Sequence, residues 1–262
     1  MTNSPSSEST GDLLTFPGIN AEVRVHCFDS KDAAGAYVAA MIAGALQGAV
    51  AERGKALWIG CGGTTPKPIY ERLVQLDLEW GRIILTQVDE RFVPTDDAAS
   101  NTLMMHDALA PILDDANRDG MAFISLIQDL SDPATCAAKA EARLFELGGG
   151  EAPEFDIALM GMGPDAHYAS IFPGHPINAF IYDTKALVVP VKAAHNGSEP
   201  VLPRITLSVP ALNRSRRIIF FITGQIKLDV LKTAALSADP YTSPVGAFLA
   251  QCPVPVDFVW AA

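Results

Sequence analysis

The sequence predicts an α/β protein, a mostly parallel sheet with helices on both of its faces. Two observations carry this. Short runs such as ALWIG at 56–60 and RIIFFIT at 217–223 are apolar throughout rather than alternating, as strands covered on both sides must be. Longer segments with helical periodicity separate those runs, which is the rhythm of strand–helix–strand units.

Taken in order, residues 31–53 form an alanine-rich, apolar-periodic helix with Gly54 as its stop. Residues 56–60 are a strand that ends in a glycine-rich turn, and 66–76 a helix with proline at its start. A strand over 83–88 leads into a polar loop, then a helix over 101–113. A helix over 133–147 is broken by Gly148–Gly150, and 155–161 is a buried strand. Further strands are expected at 186–191, 217–223 and 256–260, with helices at 226–236 and 244–249. No internal repeat or interdomain linker interrupts the pattern. Residues 16–262 therefore read as one α/β domain, after a Ser- and Thr-rich tail over 1–15 that is expected to be disordered.

Composition narrows the function. Of 262 residues, 49% are hydrophobic and 19% charged, enough apolar material for a core. A net charge of −11 argues against nucleic acid and anionic membrane surfaces as partners. It leaves room for a small phosphorylated ligand, which needs only a few local cations and backbone amides. Cys27, Cys61, Cys136 and Cys252 are widely spaced without a CxxC pair, against a zinc ribbon or a disulfide framework and in keeping with a reducing compartment. The opening MTNSPSSESTGD lacks the basic and apolar regions of a signal peptide. No apolar run approaches the roughly 20 residues of a membrane span. A cytoplasmic protein is expected.

In open α/β sheets ligands bind beyond the carboxyl ends of the strands, so four loops hold the candidate chemistry. The first, GCGGTTPKP at 60–68, sits between a strand and a helix. Its glycines allow close backbone approach, and the amides of Gly62, Gly63, Thr64 and Thr65 at a helix start suit an anion. It lacks the GxxxxGK[ST] spacing of a Walker loop, and read alone it is equally a tight turn. The second, VDERFVPTDDAASN at 88–101, crowds charge after an apolar strand. Its plain reading is a solvated turn with Asp89 and Arg91 paired; its functional reading makes Arg91 an anion or oxyanion contact.

The third loop is GMGPDAHYASIFPGHP at 161–176. Gly161, Gly163 and Ala166 match the dinucleotide pattern GxGxxG/A, and Asp183 lies twenty residues past Gly163. The pattern must open a full helix, however, and Pro173, Gly174 and Pro176 prevent one. The alternative is a catalytic loop. Histidine exchanges protons near neutrality, and Asp165, two residues before His167, would orient its ring; the plain reading is a surface histidine, and the spacing alone does not decide between the two. In the fourth loop, TGQIK at 223–227, Lys227 falls on the first turn of the next helix, where it suits a phosphate; its plain reading, the more common one, is an ordinary exposed lysine. Arg204 in PRITLSVPALN is a second candidate cation.

Together, GCGGTTPKPIYERL, QVDERFVPTDDAASN, FDIALMGMGPDAHYASIFPGHP, PRITLSVPALNRSRRIIFFITGQIK and the closing apolar strand resemble the 6-phosphogluconolactonases, in the family's order and over nearly the whole chain after the tail. The resemblance implies a Rossmann-like α/β fold shared with sugar-phosphate isomerases and deaminases. It also implies hydrolysis of 6-phosphogluconolactone to 6-phosphogluconate in the oxidative pentose phosphate pathway, with no metal or cofactor. The implied partner is a small sugar-phosphate lactone, bound by a monomer or small homo-oligomer. His167 matches the family's proposed general base, Asp165 the acid before it, and Arg91 the arginine of its DER motif, with Asp89 beside it. Gly62, Gly63, Thr64 and Thr65 match its phosphate loop, and Lys227 and Arg204 cations near the phosphate.

Where the family usually reads GPDGHTAS, this chain reads GPDAHYAS. Ala166 would be strained if that position has φ > 0, by of order 1 kcal/mol. Tyr168 would bring a phenol where a small hydroxyl is usual, which bears on substrate fit and turnover. Cys61 and Thr64 replace the more usual serines; a cysteine beside a helix start can have a lowered pKa, although Cys61 reads here as a small loop residue. Two rivals follow. One is a glucosamine-6-phosphate deaminase, against which YASIFPGHP stands where those enzymes carry an FNEP-like segment. The other is a non-catalytic sugar-phosphate sensor, motivated by Ala166 and Tyr168.

Overall fold

A computed structural model describes residues 22–113, 120–193 and 200–262. The tail expected over 1–15 lies outside the described residues, as do 16–21 of the expected domain. In chain order the elements are Val23–Phe28 (β1), Lys31–Arg53 (α1), Ala56–Gly60 (β2), Lys67–Leu73 (α2), Ile83–Gln87 (β3), Asp89–Arg91 (β4), Asn101–Leu109 (α3), Ala122–Ile124 (β5), Pro133–Leu147 (α4), Ile157–Met160 (β6), Asn178–Asp183 (α5), Val188–Val191 (β7), Arg204–Leu207 (β8), Val209–Leu212 (α6), Ile218–Thr223 (β9), Gln225–Ala234 (α7), Pro244–Gln251 (α8) and Val256–Ala261 (β10).

Seven strands form one sheet in the order β1-β10-β9-β6-β2-β3-β5, every pair parallel. The central strands are apolar throughout because they are buried throughout: all five residues of β2 and all four of β6 are inaccessible. From β2 the chain builds outward through β3 and β5, then returns to place β6 on the other side of β2 and continues to β9 and β10. The strand order thus reverses between β2 and β6. The loops leaving these two strands splay apart there and open a crevice at their carboxyl ends.

Helix α1 shows how the covering layer is specified. The Ser30 hydroxyl accepts from Ala33 N at 3.2 Å and caps its start. Gly54, at φ 75°, ends it in the left-handed conformation. Ala34, Val38, Ile42, Leu46 and Ala49 form its buried stripe. Contrary to the sequence reading, its 23 residues are long and apolar enough to cross a membrane by length and composition alone. Here the apolar stripe is spent on contacts with the sheet and with α2.

The structure departs from the sequence reading most at a second, three-stranded antiparallel sheet, β4-β8-β7. Residues 89–91 were expected in a polar loop, 186–191 as a strand of the parallel sheet, and 204–207 not as a strand. Three consecutive charged residues carry no strand signal. They form one because Asp89, Glu90 and Arg91 pair with Thr206, Ile205 and Arg204. The edge strand β1 escaped notice because VRVHCF alternates between buried and part-exposed residues, as an edge strand does. The three-residue β5 is too short to stand out. Helices α2 and α3 stop at Leu73 and Leu109, short of the expected 76 and 113, each closing in a tight turn.

Glu90 fastens the second sheet to the first. Its side chain is fully buried. It accepts from Gln87 Nε2 at 2.9 Å, Ser100 Oγ at 3.0 Å and Thr102 Oγ1 at 2.8 Å. It also accepts from the backbone amides of Arg91, Asn101 and Thr102 at 2.7, 2.7 and 2.6 Å. Two of those amides belong to the first turn of α3, where unpaired N–H groups and the helix dipole favour an acidic partner. Glu90→Ala leaves these donors unsatisfied in the interior and should lower unfolding free energy by about 3 kcal/mol. Denaturant unfolding checks this, and a loss below about 1 kcal/mol would contradict it.

Candidate active site

The four loops converge on one cleft of about 290 Å³ at the β2–β6 crevice. Its walls include Cys61, Gly62, Gly63 and Thr65 from the first loop, and Asp89 and Arg91 from β4. Gly161, Gly163, His167, Ala169 and Phe172 come from the loop after β6, Arg204 from β8 and Lys227 from α7. A roomier groove of about 580 Å³ runs between Pro164–Ala166 and α7, but it is lined by neither a cation nor a histidine. The histidine and the cations lie in the smaller cleft.

In the first loop, a Cβ on Gly62 would stand 1.9 Å from Asn101 Oδ1, so only glycine lets the loop lie against α3. Gly63 has φ 95°, which again favours glycine. Tyr70 Oη donates to Cys61 O at 2.6 Å and ties the loop to α2. Thr64 is exposed and is not among the residues lining the cleft, unlike its neighbours. Burial, reinforced by the charge of Asp89, pushes the Cys61 thiol up to about 12, the opposite of an activated cysteine.

Asp89 and Arg91 both line the cleft but do not pair with each other. Asp89 Oδ2 accepts from Ser170 Oγ at 2.5 Å and lies 3.9 Å from Arg204 Nη1. Arg91 Nη1 donates to Ala99 O at 2.7 Å. The β4–β8 register sets Arg91 directly opposite Arg204. Burial lowers the pKa of the Arg204 guanidinium, Asp89 opposes that shift, and Arg91 adds to it. Like charges facing across a strand pair are unfavourable, so an anion between them would relieve the pair. Lys227 stands in the first turn of α7, half-buried. Burial lowers its pKa against the pull of Cys61 and Asp165.

His167 and Asp165 meet as expected, with Nδ1 and Oδ1 2.5 Å apart. The His167 amide also donates to Asp165 Oδ1 at 3.2 Å. Burial opposes charge on Asp165, but its hydrogen bonds and electrostatic attraction to the His167 ring outweigh it, and its pKa is lowered. An ionised Asp165 holds the Nδ1 proton and leaves Nε2 as the acceptor of the neutral ring. Asp165 itself does not line the cleft. Gly163 makes room for the pair, since a Cβ there would fall 2.2 Å from the ring and 2.6 Å from Asp165 Oδ1.

The two unusual residues of this loop have different fates. Ala166 has φ 68° and Ala169 φ 48°, both in the region that L side chains disfavour. Tyr168 does not reach the cleft, contrary to expectation. It is fully buried against Phe220 and Phe248, and its hydroxyl donates to Tyr182 Oη at 3.0 Å; Tyr182 in turn donates to Pro244 O. No helix follows Gly161–Ala166 until α5 at Asn178, and Asp183 ends that helix rather than a strand. The dinucleotide pattern thus lacks its structural context. Asn101, Ser170 and Phe172 belong to the site but carried no signal of their own in the sequence.

A parallel sheet whose switch-point crevice sets an oriented histidine among cations is the layout of an α/β enzyme. Comparison with known proteins narrows the class. The chain belongs to the glucosamine-6-phosphate isomerase/6-phosphogluconolactonase family, whose model matches residues 29–260. It is 34% identical to a 6-phosphogluconolactonase of Caulobacter vibrioides, over 91% of this chain and 97% of that protein. It is 32% identical to one of Rhizobium meliloti, over 90% and 98%. A crystal structure of a 6-phosphogluconolactonase from Shewanella baltica superposes with a TM-score of 0.82 at 32% identity, covering 93% of this chain and all of that one. A monomeric glucosamine-6-phosphate deaminase, 18% identical with a TM-score of 0.69, shares the fold.

Two outcomes follow from the site. Ala166→Gly removes the left-handed strain at some cost in unfolded-state entropy, and should stabilise the protein by about 0.5–1 kcal/mol in denaturant unfolding. In the native protein at pH 8, iodoacetamide should label the exposed Cys27 while Cys61 stays unmodified by mass spectrometry. Rapid native labelling of Cys61 would contradict its burial.

Proposed function

We propose that this chain hydrolyses 6-phosphogluconolactone to 6-phosphogluconate, a cytoplasmic step of the oxidative pentose phosphate pathway. The observation that carries the reading is the Asp165-oriented imidazole of His167, set in the same cleft as Arg91, Arg204 and Lys227. The amides of the first loop, with Lys227 and Arg204, hold the phosphate and so fix the lactone over His167. Thr65 adds a hydroxyl donor, whereas Thr64 contributes through its backbone at most. Asp89, in the same wall, accepts from a substrate hydroxyl.

His167 Nε2 takes a proton from water as the water oxygen attacks the lactone carbonyl. Arg91 and the loop amides stabilise the resulting oxyanion. On collapse the ring C–O bond breaks, the carboxylic acid forms, and the imidazolium returns its proton to the departing alkoxide. Asp165 stabilises the charged ring between these transfers. Every atom and proton is supplied by water and His167 and no oxidation state changes, so the step calls for no redox carrier.

The sensor reading loses half of its motive, since Tyr168 faces the core rather than the substrate. The assay is lactone hydrolysis above the spontaneous rate, with the lactone generated in situ by glucose-6-phosphate dehydrogenase. His167→Asn should lower kcat by roughly 10²–10⁴ with unfolding unchanged. A variant with full activity would remove His167 from the mechanism, and an inactive wild type that binds the sugar phosphate would favour the sensor. Ammonia release from glucosamine 6-phosphate would favour the deaminase.

A further inference from the structure

Phe172 carries no polar side-chain atom, yet it touches two of the groups on which the chemistry depends. Its ring lies 4.9 Å from the His167 imidazole, centroid to centroid, at an interplanar angle of 43°. The Arg204 guanidinium carbon stands over the same ring, 5.9 Å from its centroid. Phe172 is only 2% exposed and forms part of the cleft wall.

Both polar groups also have partners of their own. Asp165 grips the imidazole through Nδ1 alone, and one hydrogen bond leaves a ring free to rock about it. Arg204 has Pro200 O at 3.0 Å from Nη2 and Asp89 at 3.9 Å from Nη1. A cation over an aromatic face gains attraction that strengthens as water is excluded. Phe172 is itself anchored. Its carbonyl accepts from Asn178 Nδ2 at 2.8 Å and from His175 N at 3.2 Å, and Pro173 stiffens the chain directly after it.

We propose that Phe172 is a positioning residue: one ring sets the direction of His167 Nε2 and seats the Arg204 guanidinium, fixing the separation between proton acceptor and anion site. This rests on the reading of His167 as the general base. Because the ring acts through two partners, its removal should affect turnover and anion binding together, which a purely structural core residue would not.

The test compares Phe172→Leu, which keeps much of the volume but loses the aromatic face, with Phe172→Tyr, which keeps the face. Thermal unfolding identifies folded variants, and Phe172→Met replaces Leu should Leu not fold. In Phe172→Leu, kcat for the lactone should fall roughly tenfold. The Kd for inorganic phosphate should rise roughly two- to fivefold. The His167 ring should gain mobility in side-chain NMR relaxation, its signal assigned with His167→Asn. Phe172→Tyr should stay within about twofold of wild type in kcat and Kd. A folded Phe172→Leu matching wild type in kcat and Kd, or a Phe172→Tyr as impaired as Leu, would overturn the proposal. If wild type itself shows no lactonase activity, the hydrolase reading fails, while the phosphate and relaxation measurements still decide whether the ring positions its two partners.

Discussion

A buried carboxylate organises this site before any reacting group is considered. Glu90 points into the protein and accepts six hydrogen bonds from β3, β4 and the start of α3. Taking a carboxylate out of water is costly, and only a full set of donors offsets it. Side chains alternate along a strand, so committing Glu90 to the interior commits Asp89 and Arg91 to the other side. Both line the cleft. The same backbone then pairs with β8 and brings Arg204 opposite Arg91. One satisfied charge thus fixes the placement of three that line the cleft.

The loop after β6 uses a similar division of labour. His167, Ala169 and Phe172 line the cleft, while Tyr168, Ser170 and Ile171 are buried. Tyr168 anchors the loop in the aromatic core through Phe220 and Phe248. Ser170 ties it to Asp89 on the second sheet. Gly163 leaves the space that the His167–Asp165 pair occupies. The strain at Ala166 and Ala169 is tolerated because the surrounding contacts over-determine the backbone.

Much of this was legible in the sequence where the signal was local. The runs ALWIG and RIIFFIT announced central strands because burial on both faces demands continuous apolarity. The spacing of Asp165 and His167 allowed their contact without deciding it, and the tight turn of the loop supplies the rest. What stayed hidden depends on partners distant in sequence. The DER strand exists through its pairing with residues 204–206 and its ties to α3, neither visible in three charged letters. Phe172 carried no signal of its own because its contact with Arg204 joins positions 32 residues apart. Tyr168 bore on substrate fit only as a departure from the family motif; its neighbour His167 lines the cleft while Tyr168 itself is buried in the core.

The charge distribution gives the cleft its direction. A chain of net charge −11 gathers Arg91, Arg204 and Lys227 into one small concavity. That arrangement is costly while the cleft is empty of anions, since burial and mutual repulsion both work against the positive charge on Arg204, and burial against that on Lys227. Asp89 offsets part of the cost from a distance of 3.9 Å, too long for a close ion pair. An entering dianion would supply what the protein withholds, drawing interaction energy from cations already desolvated and already aimed by the two sheets. The acidic exterior would repel a polyanion of extended length. A small anion that fits inside the cleft would meet three cations against the single carboxylate of Asp89, so the size of the concavity, as much as its charge, would select among anions.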